Sequence, residues 1–192
     1  MSKTLEEHVQ GDGRVPLSVG DIAYRTVKCS EERWEKFRDT LQKQVLRIWD
    51  DEAVHGFDPE GSRHRWALFV VYVGGVNGLT NLAILRQNFT ETIDSWFKMK
   101  LPRRWKPSLN NFFLINEEVM DSVLEGLARG ETPFIYAASE NFKPGDEDGP
   151  YEGHFKVAVE ELGMLWFLVG YGDMRMESAR PSEKGAIQTG FW

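Results

Sequence analysis

The sequence predicts an α+β fold: a two-layer, ferredoxin-like sandwich with its helices on one face of a mixed or antiparallel sheet. Three observations lead there. Two segments 48 residues apart share one apolar register, Trp34, Phe37, Leu41, Val45, Ile48 and Trp49, then Leu82, Leu85, Phe89, Ile93, Trp96 and Phe97. Each set spans an arc of roughly 120° at ~100° per residue, which is one face of an amphipathic helix. A short apolar run precedes each, at residues 22–27 and 66–73. The whole chain then reads strand-helix three times, followed by strand, strand and helix, and helices with a single apolar face need a sheet to cover. A doubly wound sheet is the second arrangement compatible with this order.

Residues 1–20 are polar, with Pro16 and Gly20, and read as a flexible N-terminal arm; residues 21–180 form one domain and 181–192 a C-terminal tail. The first strand, 22–27, leads to Ser30, a good N-cap, with Glu31 and Glu32 placed where the helix dipole favours negative charge, so the first helix covers 31–51. A polar loop with Gly56, Pro59 and Gly61 leads to the second strand, which is apolar on both faces and therefore expected at the centre of the sheet. Gly74-Gly75-Val76-Asn77-Gly78 ends it, and the second helix runs 81–98 before Pro102 and Pro107. Residues 112–115 make a third strand, and Asn116 caps a helix bearing Val119, Met120, Val123, Leu124 and Leu127 ahead of Gly130. Strands at 134–138 and 154–159 form a hairpin around a hydrophilic loop, and Leu162, Leu165, Trp166 and Val169 keep helical spacing up to Gly170.

Composition narrows the function classes. A chain of 192 residues buries about 70% of its extended surface and needs no staple. The lone Cys29 cannot close an internal disulfide, and the N-terminus lacks the basic and apolar regions of a secretory signal, so a reducing, cytoplasmic setting is expected. The longest apolar run, 66–73, is far short of the ~18 residues that span a bilayer, which predicts no membrane partner. A net charge of −7 opposes attraction to polyphosphate, so nucleic acid is not an expected ligand. The basic clusters at 63–65 and 103–106 read as solvated loop charge.

No residue set carries a catalytic signature. The glycine loop 74–78 lies between a strand and a helix, where phosphate loops sit, yet it fits neither the dinucleotide nor the Walker spacing and no lysine follows; it reads as a structural turn. Cys29 precedes a helix start, a position that lowers a thiol pKa, but no base stands near it in the chain. Asp146, Glu147 and Asp148 lack the ligand spacing of a calcium loop, and His8, His55, His64 and His154 show no metal spacing, so neither metal nor cofactor is expected. The candidate catalytic residues are His154, which opens a predicted strand beside Glu152 and titrates near neutral pH, Tyr24, and Arg86. Arg86 projects within ~40° of the apolar centre of its helix and needs a partner or an exit to solvent. Trp34, Trp66, Phe89, Trp96 and Trp166 are the rings available to line a pocket.

Several strings resemble those of a large group of uncharacterised proteins of filamentous (ascomycete) fungi, across roughly residues 22–180. They are Tyr24-Arg25-Thr26 before Trp34 and Phe37; Gly78-Leu79-Thr80 before Leu85-Arg86 and Phe89; Leu114-Ile115-Asn116-Glu117-Glu118; and Glu152-Gly153 before Lys156-Val157. The group usually has an acidic residue before the glycine of the second string and an aromatic after the last Glu-Gly, where this chain has Asn77 and His154. With no activity established for the group, the resemblance implies a fungal source and no function.

Two functions remain. One is an intracellular binding or interaction domain without catalytic motif, taking a protein partner or a small apolar ligand, with a homodimer through the sheet as one form. The other is a cofactor-independent isomerase, cyclase or lyase acting on a small metabolite in a ring-lined pocket, with His154, Tyr24 and Arg86 converging on it.

Overall fold

In the computed structural model the described residues are 18–49, 66–75, 78–98, 105–107, 110–143, 151–170, 175–183 and 185–190. Strand β1 (Ser18–Arg25) begins the sheet, three residues inside the expected arm. It passes into α1 (Glu31–Trp49), whose start is capped as its sequence demands, with the Arg33 backbone N–H donating to Ser30 Oγ at 3.3 Å. Strand β2 (Trp66–Tyr72) follows, then a single 3₁₀ turn (Gly78–Asn81) that leads into α2 (Leu82–Lys98). Next come β3 (Trp105–Pro107), β4 (Asn111–Ile115) and α3 (Glu117–Glu125), where Asn116 Oδ1 accepts from the Val119 N–H at 3.0 Å. β5 (Phe134–Ser139) and β6 (His154–Ala158) form the expected antiparallel pair, followed by α4 (Leu162–Gly170), α5 (Met176–Ala179) and β7 (Ile187–Gln188).

The strands join in the order β2-β1-β4-β5-β6-β7, with β3 also paired to β1. β2, β1, β3 and β4 are mutually parallel along β1, whereas β4-β5 and β5-β6 are antiparallel, so the sheet is mixed. β3 and β4 form one interrupted neighbour of β1. Val19 pairs with Lys106 and Ala23 with Phe113, an offset that grows from 87 to 90, so three extra residues are spliced into the column.

The ferredoxin-like placement of helices on one face is not what the contacts give. Successive residues of a strand point to opposite faces. Tyr24 reaches α2, where its hydroxyl lies 3.3 Å from Thr92 Oγ1, while its neighbour Arg25 lies over the Trp34 ring of α1, 4.4 Å from the centroid. α1 and α2 thus cover opposite faces of the parallel strands, the arrangement of a doubly wound sheet. This follows from chain direction: the first crossover steps from β1 to β2 and the second steps back over β1 to β4, and crossovers of one hand that step opposite ways must use opposite faces. Amphipathic spacing says that a helix faces a sheet, not which face.

Two further expectations change. β2 pairs with β1 alone among the described residues and ends the strand order rather than centring it. Leu68, Phe69, Val70 and Val71 are half-buried against the core, so apolar residues on both faces do not require a central strand. And part of the expected tail belongs to the sheet, since Ile187 pairs with Lys156 and Gln188 with Val157.

The core is continuous across both faces of β1, β4 and β5, where Ile22, Tyr24, Phe112, Phe113, Leu114 and Ile135 are fully buried. Trp34 and Phe37 stack at 5.3 Å, and Phe112 contacts both Tyr24 and Phe89. These rings fill the interior. Of the pocket candidates, Trp34 and Phe89 are buried core, and the side chains of Trp66, Trp96 and Trp166 lie outside the described residues, as does the acidic loop 144–150.

Candidate functional site at the carboxyl ends of the parallel strands

The carboxyl ends of β1, β2 and β4 meet at one rim. The Thr26 N–H donates to the Ile115 carbonyl at 2.9 Å and the Val73 N–H to the Arg25 carbonyl at 2.9 Å, so the three ends stay joined beyond their ladders. From this rim α1 departs after Ser30, α3 after Asn116, and the turn into α2 begins at Gly78. A Cβ added at Gly78 would stand 3.3 Å from Leu114 Cδ2 and 3.4 Å from Thr26 Oγ1, so glycine lets the start of the α2 segment press against the ends of both β1 and β4. β1 lies between the strands reached by the two crossovers, and in open α/β sheets that reversal opens a crevice outside the strand ends.

Two arginines belong to this rim and are treated differently. Arg33, in the first turn of α1, donates to Glu117 and, at 2.7 Å, to Asp121 of α3. The hydrogen bond to Glu117 holds its pKa above the ordinary guanidinium value. Arg25, the last residue of β1, lies over two rings, 4.4 Å from the Trp34 centroid and 4.7 Å from that of Tyr72. It has no carboxylate partner among the described residues, and its Nε is buried with no hydrogen-bond partner. Below it, on the same face of β1, a fully buried Asp21 accepts from Asn111 Nδ2 at 3.4 Å.

Of the three residues expected to converge on a pocket, Tyr24 and Arg86 are engaged in interior contacts, Arg86 beside the start of β6, and His154 stands half-buried at that start. Tyr24 is fully buried with its hydroxyl against Thr92, and burial pushes its pKa up to about 12, so it stays protonated near neutrality. Arg86 donates from Nε to the Ser139 carbonyl at 2.8 Å and from Nη2 to the Gly153 carbonyl at 3.3 Å, and burial lowers its pKa. It ties α2 to the β5–β6 hairpin. His154 opens β6 as predicted, with Nδ1 3.3 Å from the Glu152 carbonyl and its ring 5.9 Å from Tyr136.

Next to His154 is a cluster that sequence reading missed. Glu118 accepts from the Tyr136 hydroxyl at 2.8 Å and from Lys156 Nζ at 2.8 Å, and Lys156 lies 4.3 Å from the Phe134 ring centroid. Burial works to raise the Glu118 pKa, but hydrogen bonds from Lys156 and Tyr136 outweigh it and hold the carboxyl below its usual range. Burial and the Glu118 hydrogen bond push Tyr136 well up. The cluster satisfies itself and fastens α3 to β5 and β6.

Cys29 is half-buried in the segment between β1 and α1. Among the described residues no group of three His, Cys, Asp or Glu side chains can hold a metal ion, and no helix is long and apolar enough to cross a membrane. No protein-family model, no curated protein and no solved structure matches the chain.

Proposed function

We propose that this chain is a small-molecule binding domain without catalytic machinery, whose ligand seats against the rim formed by the ends of β1, β2 and β4. The observation that carries the reading is the chain reversal around β1, with α1 and α2 on opposite faces and three helical segments starting at the same rim. Backbone N–H groups at helix starts and side chains on the intervening turns give such rims their binding capacity. The rest of the sheet contrasts with this rim, since there Arg86 and the Glu118 cluster are committed to holding elements together. The enzyme reading gains nothing comparable, since Tyr24 and Arg86 are engaged in packing and backbone contacts.

Backbone amide NMR with a library of small polar fragments tests this. Hits should shift the amides of 26–30, 78–81 and 116–119 together. Hits that cluster instead on β5 and β6 would remove the rim as the binding site.

A further inference from the structure

We infer that Arg25 receives an oxyanion, a carboxylate or a phosphate, of the small molecule bound at this rim; the inference rests on the rim being the ligand site. The chain carries 30 acidic and 23 basic residues, so carboxylates are in surplus, and Arg33, eight positions along, holds two of them. Arg25 holds none among the described residues. A buried N–H without a partner costs about 1–3 kcal/mol, and the Nε of Arg25 is in that condition. A purely structural cation at a strand end would be expected to take one of the available carboxylates or to extend into water.

Geometry adds direction. A guanidinium lying over aromatic rings keeps its N–H groups in its own plane, aimed past the ring edges, and that planar fork matches the two oxygens of a carboxylate or phosphate. Nε is the buried nitrogen, so an anion meets the Nη1/Nη2 end, and the unpartnered Nε marks Arg25 as a charge that the fold does not use rather than as the atom the anion contacts. The rings that orient it are themselves held. Trp34 is 8% exposed and stacks on Phe37 at an interplanar angle of 17°. Tyr72 is 48% exposed, and the chain turns back against it at Gly74, where an added Cβ would stand 3.2 Å from the Tyr72 hydroxyl oxygen. The fork is therefore oriented before any ligand arrives, which lowers the entropy lost on binding. A lysine could supply charge here but not the fork.

The test uses the full chain, ¹⁵N-labelled, titrated separately with inorganic phosphate and with succinate at constant ionic strength up to about 50 mM, a range suited to roughly millimolar affinities. The Arg25 Nε–Hε resonance and the amides of 26–30 should shift saturably with at least one anion, and which one responds assigns the group. Arg25→Met should weaken that response at least about tenfold, and Arg25→Lys should retain only part of it. Two results overturn the inference: no shift of the Arg25 side chain with either anion, or an undiminished response in Arg25→Met. If neutral fragments still perturb 26–30 and 116–119 in the first case, the rim stands and only the anion assignment falls; if they perturb neither segment, the rim falls as well.

Discussion

In the antiparallel half of the sheet Arg86 gives its donors to the Ser139 and Gly153 carbonyls, and Lys156, Tyr136 and Glu118 satisfy one another. In the parallel half Arg25 lies over Trp34 and Tyr72 with a buried, unpartnered Nε and no anion among the described residues. Both halves place a cation against rings, since Arg86 also lies 5.0 Å from the Phe142 centroid. Only one of them closes the account with hydrogen bonds. The difference separates a charge that the fold uses from a charge without a partner among the described residues, and it is the ground on which the parallel rim is proposed as the binding surface.

The largest effect should come at the seam. Phe112, fully buried on β4, contacts Tyr24 of the parallel half and Phe89 of α2. Phe112→Ala should cost about 3–5 kcal/mol in chemical unfolding, through lost burial and a residual cavity. A loss under about 1 kcal/mol would mean that this ring contact does not join β1, β4 and α2.

Next is Gly153, which has φ +77° and where an added Cβ would overlap the Arg86 guanidinium and the Phe142 ring. Gly153→Ala should destabilise by about 2–4 kcal/mol. It should also displace Arg86 from its two carbonyls, visible as increased hydrogen exchange at the Ser139 N–H, which bonds the Gly153 carbonyl at 2.9 Å.

A smaller, pH-dependent effect belongs to Glu118. Its folded pKa lies below the ordinary carboxyl value, so its contribution is present above the unfolded pKa of about 4.3 and is lost as pH falls through the folded value. Glu118→Gln should therefore be less stable than the parent at pH 7 and approach it in acid. The difference at neutrality should stay under about 1 kcal/mol, because the Glu118 side chain is half-exposed.

Much of the architecture was legible because its signals are local. The register Trp34, Phe37, Leu41 and Val45 is buried on α1, and Leu82, Leu85 and Phe89 on α2, since a period near 3.6 is written in neighbouring residues. Ser30 and Asn116 cap the helices they were expected to cap, for the same reason. β3 and β7, three and two residues long, are too short to carry a period, and they pair only because the sheet brings β1 and β6 alongside. The faces chosen by α1 and α2 depend on strand order, which no local pattern records. Arg25 was missed as a candidate because its partners, Trp34 and Tyr72, lie 9 and 47 residues away and meet it only through the crossover. Its place at the end of a strand, just before a turn into a helix, was the one available hint. Arg86 was noticed for the right physical reason, a charge on an apolar helix face, but the remedy for that charge is a pair of backbone carbonyls rather than a substrate.

The most direct test of the division between the halves is a paired unfolding measurement on Arg25→Met and Arg86→Met, both retaining the apolar stem. Arg86→Met removes two charged hydrogen bonds and leaves the Ser139 carbonyl without that donor, while the Gly153 carbonyl keeps the Ser139 N–H, and it should lose about 2–3 kcal/mol. Arg25→Met gives up ring contacts but relieves a buried unpartnered nitrogen, so it should stay within about 1 kcal/mol of the parent. Equal losses in the two variants would contradict the account, because Arg25 would then be holding the fold together just as Arg86 does.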